Sequence, residues 1–361
     1  RTPVLDIVSV GAGGGSLVWF DDGGMLRVGP RSAGATPGPA CYGRGGTQPT
    51  ITDAHLIRGT IRAGVFLGGA MKLDVGMARA AFERAARQLG MSVPDAAAAA
   101  IRLAVANIVR AVQLVSTERG RDPRDYALLP FGGAGPLLAA EVAEELGCRE
   151  IVVPPNPGVI SAFGLLAADF VRVAGVTRRN ELSPGSPALL REEFARFRDQ
   201  AQEEFRALGL HGALDFELTA DMRFVGQAFE IPVEIDVARL ESLRADDLAE
   251  EFARAHRRIY FHGGEPGRKV EIVALRFGVR RRLDTLPRLR ERPTAPPDRA
   301  SVEIRTPKGA VEARLVGASA LKQGETVIGA AMIEGYSSSL YVPAGWRAQR
   351  DGADNIIMRR G

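Results

Sequence analysis

The run Val10-Gly11-Ala12-Gly13-Gly14-Gly15-Ser16 constrains the fold of this chain more than any other stretch. It follows an apolar segment, Leu5 to Val10, that reads as a strand, and it leads into another strand rather than a helix. Leu17-Val18-Trp19-Phe20 has β-favouring residues, Asp21-Asp22-Gly23-Gly24 has turn chemistry, and Met25-Leu26-Arg27-Val28 reads as the returning strand. Glycines in such a turn let backbone N–H groups approach an anion closely and form a concave nest around it. A Walker loop would need Gly-Lys-Ser/Thr and a following helix, and a dinucleotide fingerprint would need a glycine where Ser16 stands. Two readings stay open for this run: a phosphate-holding turn inside a β-hairpin, or glycines needed only for a tight crossing of the chain.

A second glycine turn follows Tyr126-Ala127-Leu128-Leu129-Pro130-Phe131, which reads as a buried strand running into Gly132-Gly133-Ala134-Gly135-Pro136. A helix then starts with Pro136 at its first position, where the missing N–H costs nothing. It carries Leu138, Val142 and Leu146 on one face and ends at Gly147. Strand, Gly-Gly-x-Gly, helix lets backbone pass close to a flat ligand, with close packing of helix on strand as the structural alternative. A glycine turn inside a hairpin is the way actin-like and sugar-kinase-like ATPases hold phosphates.

At 361 residues, with 45% apolar and 25% charged residues, the chain has the composition of a globular enzyme of two or three domains. No apolar run reads as a membrane span and no signal peptide is visible, so no membrane partner is expected. Two cysteines, Cys41 and Cys148, make no disulfide scaffold, which points to a reducing cytoplasm. The net charge of +4 comes from scattered arginines, and the short run Arg280-Arg281-Arg282 lacks interleaved aromatics, so no nucleic-acid partner is expected.

Residues 1–180 show an α/β pattern. After the hairpin comes a glycine- and proline-rich loop, Pro30 to Pro49, then a helix from about Val75 to Leu89 closed by Gly90. Ser92, Pro94 and Asp95 open the next helix, whose apolar spacing continues through Ile101, Val105, Ile108, Val112 and Val115 until Gly120. Ile151-Val152-Val153 is a strand, and Pro157-Gly158 precedes a short apolar helix through Leu166. Residues 181–285 read as an α+β domain. Its elements are a helix with Leu190, Phe194, Phe197, Ala201 and Leu208 on one face, alternating strands around Phe216–Phe224 and Phe229–Ile235, a helix around Leu248–Ile259 and a strand near Val273–Val279. Residues 286–361 read as a linker followed by a small β barrel or sandwich.

Several long strings make the chain resemble the hydantoinase/oxoprolinase A-type subunits. They are Asp6-Ile7-Val8-Ser9-Val10-Gly11-Ala12-Gly13-Gly14-Gly15-Ser16, Val28-Gly29-Pro30-Arg31-Ser32-Ala33-Gly34-Ala35, Pro37-Gly38-Pro39-Ala40-Cys41-Tyr42-Gly43-Arg44-Gly45-Gly46-Thr47 and Thr52-Asp53-Ala54. Ser116-Thr117-Glu118-Arg119-Gly120, Phe131-Gly132-Gly133-Ala134-Gly135-Pro136, Arg223-Phe224-Val225-Gly226-Gln227-Ala228-Phe229-Glu230 and Val342-Pro343-Ala344-Gly345-Trp346 extend it. The family's earlier phosphate loop is unmatched, so the resemblance implies the C-terminal part of a longer protein. The implied fold is the second half of an actin-like ATPase domain, then the α+β domain and the small β domain.

The resemblance implies ATP and Mg²⁺ as cofactors and ATP-dependent hydrolysis of a cyclic amide, of the 5-oxoproline or hydantoin type. It implies a B-type subunit and the missing N-terminal half as partners. Ketone activation, as in acetone and acetophenone carboxylases, is a second implication. A non-catalytic, partner-binding fragment is a third reading, since half a nucleotide clamp binds ATP poorly.

Gly13, Gly14, Gly15 and Ser16 are expected to meet the phosphates, the last through its hydroxyl. Gly132, Gly133, Ala134, Gly135 and Pro136 would lie against adenosine. Many actin-like ATPases carry an aspartate where Gly11 stands, so the metal-linked carboxylate is expected elsewhere. Asp53 has two readings: a helix cap, or a catalytic carboxylate facing metal or substrate. Arg31, Tyr42 and Arg44 are candidates for an anionic substrate or a partner subunit, with loop-anchoring salt bridges as the alternative. His55 is either a general base or a decoration of the helix. His55, His211, His256 and His262 show no metal-ligand spacing.

Overall fold

The computed structural model describes residues 7–260, 268–306 and 309–361. They form a mixed α/β protein of two compact units, residues 1–165 with 288–361, and residues 166–287. Arg1, the first two residues of the Leu5–Val10 segment and His262 lie outside the described residues. Of that segment, residues 7–10 are described and are not strand.

In the first unit, β1 (Ser16–Phe20) and β2 (Leu26–Ser32) pair as the expected antiparallel hairpin. Helices α1 (Ile51–Arg58), α2 (Val75–Leu89), α3 (Val93–Val115) and α4 (Gly135–Leu146) follow. Their ends obey local chemistry. Asp74 and Ser92 cap α2 and α3, and Gly90 and Gly147 close α2 and α4 in the left-handed region that glycine tolerates. Helix α3 stops at Val115, and a 3₁₀ turn, Thr117–Arg119, runs on to Gly120. Contrary to expectation, the stretch Val93–Arg119 is long and apolar enough by composition to cross a membrane. Its face of Ala96, Ala97, Ala100, Ile101, Ala104 and Val105 is instead buried in the core of this unit.

The expected strand over 126–131 reduces to one residue. Leu128 donates to Glu150 O at 2.9 Å and accepts from Val152 N–H at 2.8 Å beside β3 (Glu150–Val153). Pro130 has no N–H with which to continue such a ladder. Helix α5 (Ile160–Leu166) completes this stretch.

The second unit is one antiparallel sheet in the order β4-β7-β5-β6, built from β4 (Phe170–Glu181), β5 (Asp215–Phe224), β6 (Ile231–Ile235) and β7 (Val270–Arg281). Helices α6 (Ser186–Ala207) and α7 (Ala245–Tyr260) pack on it. Leu190, Phe194, Phe197, Leu248 and Phe252 meet Leu218, Met222, Ile272 and Phe277 in its core. A boundary at 180/181 cuts β4, which belongs here. Its sequence hides it, because Val171 and Val173 are exposed while Arg172 lies on the half-buried side.

The C-terminal segment is not a separate barrel. Strands β8 (Ser301–Thr306), β9 (Gly309–Gly317), β11 (Ala331–Glu334) and β12 (Ser339–Val342) form one sheet, in the order β12-β11-β9-β8. Strands β10 (Thr326–Ile328), β13 (Trp346–Arg350) and β14 (Ile356–Arg360) form another, completed by β3, which pairs with β14 from Val153↔Ile356 to Glu150↔Arg359. Trp346 and Met358 share a core with Phe82, Ile101 and Val142. Ion pairs reinforce the join. Arg62 sends two bonds of 2.6 Å to the Glu334 carboxylate and a third to Asp298. Arg58 reaches Glu141 at 2.5 Å and the Arg305 carbonyl at 3.1 Å.

Arg62→Ala leaves Glu334, whose side chain is only 12% exposed, without its counter-charge. The expected loss is about 3 kcal/mol, measured by urea denaturation, with Arg62→Ala/Glu334→Met recovering part of it.

Candidate functional site

Three segments far apart in sequence meet around the start of α1. Thr50 caps that helix. Its hydroxyl accepts Asp53 N–H at 3.3 Å while the Asp53 carboxylate accepts Thr50 N–H at 2.9 Å, a reciprocal capping box. The same carboxylate accepts the Thr50 hydroxyl at 2.7 Å, Cys41 N–H at 2.8 Å and Ala40 N–H at 3.2 Å. Asp53 is fully buried, and four donors occupy its acceptor sites. The catalytic expectation for Asp53 is thereby corrected: it anchors the 40–41 loop to the helix and presents no free oxygen. Burial and the adjacent Asp53 charge push the Cys41 thiol far up, which removes thiolate chemistry there.

The first glycine turn sits on the other side of the same helix end. Ser16 is buried, and its hydroxyl donates to Gly11 O at 2.9 Å and accepts Gly13 N–H at 2.8 Å. The expectation that this hydroxyl meets a phosphate is corrected, because it braces the turn from inside. Gly13 N–H is used in the same brace. The N–H groups of Gly14 and Gly15 donate to no other group among the described residues. Gly14 O is held twice, by Thr52 N–H at 2.8 Å and the Thr52 hydroxyl at 2.9 Å. At Gly11, a Cβ would lie 2.3 Å from Pro30 Cα, so no carboxylate side chain fits there.

The second turn lies against the first. A Cβ on Gly14 would be 3.7 Å from Ala134 Cβ. Gly132, at φ +83°, donates to Pro157 O at 2.7 Å. Helix α4 starts at Gly135, one residue earlier than expected, with Pro136 second, and Ala134 offers no side-chain cap. The N–H groups of Gly133, Ala134 and Gly135 therefore also lack partners among the described residues. With the positive end of the α4 dipole behind them, they favour negative charge. The β11–β12 loop borders this turn: Ser337 Oγ accepts Gly158 N–H at 3.2 Å, and a Cβ on Gly133 would lie 3.8 Å from Ser337 O.

The loop candidates divide. Tyr42 is half-buried, its ring centre 5.8 Å from that of Phe66. Burial pushes its phenol up, and the Arg44 charge partly opposes this. Arg44 is exposed. Arg31 stacks on Trp19 with its guanidinium carbon 4.7 Å from the ring centre, while Trp19 Nε1–H donates to Gly29 O at 2.8 Å. Arg31 thus belongs to the hairpin surface. His55 is neither a base nor an exposed decoration. It is fully buried, with Nδ1 2.8 Å from the Thr60 hydroxyl and Nε2 unpartnered, and desolvation, aided by the Arg58 charge, lowers its pKa to about 3. Among the described residues no three His, Cys, Asp or Glu side chains gather as a metal site, and both carboxylate oxygens of Asp53 are engaged. Thr52 escaped the sequence reading as a site residue, because its partner Gly14 is 38 positions away.

Two abutting turns of N–H groups without partners among the described residues thus lie on one face of a mixed α/β protein. Family models extend this. The one described as hydantoinase/oxoprolinase matches residues 1–173, and the one described as hydantoinase/oxoprolinase C-terminal domain matches residues 184–358. The chain belongs to the hydantoinase/oxoprolinase family. It is 33% identical to the caprolactamase subunit alpha of Pseudomonas jessenii, over 97% of this chain and 52% of that protein. The nucleotide-free structure of acetone carboxylase, from a study of ATP-dependent acetone carboxylation, superimposes with a TM-score of 0.82 at 26% identity, over 97% of this chain and 52% of that one. The ATP-dependent caprolactamase of Pseudomonas jessenii does so with a TM-score of 0.66 at 32% identity and the same coverage. The chain spans about half the length of these relatives.

Two outcomes follow for α1. Asp53→Asn places an amide among four donors, and denaturation is expected to show a loss of roughly 2 kcal/mol. The His55 pKa lies below its ordinary 6.5, so the unfolded chain takes up the proton first as pH falls. Its contribution is whole above pH 6.5 and erodes between about 6.5 and 3, by at most about 1.4 kcal/mol per pH unit. Urea midpoints across that window, compared with His55→Gln, measure it: the variant has the flatter profile.

Proposed function

We propose that this chain supplies the phosphate- and purine-facing turns of an ATP-dependent enzyme that opens a cyclic amide. The observation that carries the reading is the apposition of the Gly14–Gly15 and Gly133–Gly135 backbone donors across the Gly14–Ala134 contact. In this reading residues 1–180 correspond to the second half of an actin-like ATPase domain. Gly14 and Gly15 take the triphosphate, and the 132–136 turn lies along the adenosine.

The chemistry fits the relatives. A lactam carbonyl is a poor electrophile because amide resonance feeds its carbon. Moving the γ-phosphoryl group from ATP, which departs as ADP, onto the carbonyl oxygen makes the carbon electrophilic. Water adds there, the ring C–N bond breaks, and a second water releases phosphate from the resulting acyl phosphate. Phosphoryl transfer demands positioning and charge stabilisation above all, which preorganised N–H groups supply without reorganising. Magnesium, carried on the nucleotide, would add charge neutralisation. Asp53 has both carboxylate oxygens engaged by the protein, so in this reading the metal ligands come from elsewhere in the enzyme. A B-type subunit as partner is supported by relatives named as single subunits of larger enzymes.

The TM-score of 0.82 to acetone carboxylase favours a second reading, in which the same turns serve activation of a ketone oxygen for carboxylation. Phosphate release by the chain, reconstituted with the proteins encoded beside it, separates the two. Release that depends on 5-oxoproline, hydantoin or caprolactam is expected. Release that requires acetone and bicarbonate moves the assignment to ketones, and release with none of them sinks both.

A further inference from the structure

We infer that Thr52 is a positioning residue for the phosphate turn, acting through the Gly14 carbonyl. The inference rests on the nucleotide reading above and assigns a duty to a residue that does not touch the nucleotide.

The argument starts from the peptide plane. Gly14 C=O and Gly15 N–H belong to one planar trans peptide and point in opposite directions. Thr52 grips that carbonyl with two donors, its N–H at 2.8 Å and its hydroxyl at 2.9 Å. Fixing the carbonyl toward α1 turns Gly15 N–H away from the helix, on the free side of the turn. Glycine on both sides of this peptide makes it unusually free to rotate, since neither residue has a Cβ to resist. A rotated peptide would aim a carbonyl oxygen, an acceptor with partial negative charge, where the anion is to sit.

Thr52 suits the task for two reasons. As the second residue of α1 its N–H has no intrahelical partner. The capping box uses the Asp53 N–H and leaves that of Thr52 for Gly14. Thr52 is also only 6% exposed, so its bonds are shielded from water. The turn rests directly on the hydroxyl: a Cβ on Gly14 would lie 2.7 Å from Thr52 Oγ1.

The test uses the 361-residue chain labelled with ¹⁵N-glycine and follows the Gly14, Gly15 and Gly133 amide signals. Titrants are ATP with magnesium, inorganic tripolyphosphate and adenosine. Thr52→Val keeps the branched shape without the hydroxyl, Thr52→Ala serves if Thr52→Val does not fold, and Thr52→Ser restores the hydroxyl. The inference expects Thr52→Val to bind tripolyphosphate and ATP roughly three- to tenfold more weakly than wild type. Adenosine binding should be unchanged, and Thr52→Ser should lie within about twofold of wild type. A merely structural loss would weaken adenosine and tripolyphosphate alike. That outcome, or wild-type affinity in Thr52→Val, overturns the role of Thr52 and leaves the nucleotide reading standing. No shift of Gly14 or Gly15 in the wild type overturns both.

Discussion

The buried N-terminus of α1 is the joint on which the candidate site depends. Hydrogen bonds to a charged group are worth about 1.5–3 kcal/mol each, and a buried donor left unmade costs a similar amount. At this joint Asp53 satisfies the N–H groups of Ala40, Cys41 and Thr50, while Thr52 takes the Gly14 carbonyl. One helix end thereby fixes the glycine turn on one side and the Pro30–Pro49 loop on the other. Removing any member strands several partners at once, which is why these bonds cannot be exchanged one at a time.

The return of the C-terminal segment has a functional consequence as well as a structural one. Pairing of β14 with β3, the Arg62–Glu334 ion pair and the 2.8 Å bond from Trp346 Nε1–H to Glu144 bring the last seventy residues or so onto the helices of the first unit. The β11–β12 loop thereby reaches the second glycine turn where Ser337 nears Gly133. A wall of the candidate site thus comes from a part of the chain that a linear division assigns to another domain.

Much of the local structure was legible in the sequence because local chemistry sets it. The hairpin followed from the glycine and aspartate turn, α2 and α4 from their closing glycines, and β5 from the alternation of Phe216 to Phe224. The misreadings also have causes. β4 presents Val171 and Val173 to solvent, which inverts the usual polarity signal. The 126–131 segment looked strand-like by composition, yet Pro130 removes a donor and only Leu128 pairs. Asp53 and Ser16 carried the residue types of a site, but their polar atoms are consumed by neighbours brought in by folding.

The amino-acid order by itself determined where two backbone turns lack side chains, because only glycine tolerates the positive φ at Gly132 and the close approach at Gly11. It also determined the family to which the chain belongs, through strings too long to arise by composition. Only the tertiary structure decided which polar groups of those turns stay open. Hydrogen bonding is a competition settled by distance, and distances such as Thr52 to Gly14 or Gly14 to Ala134 exist only once the chain has closed on itself.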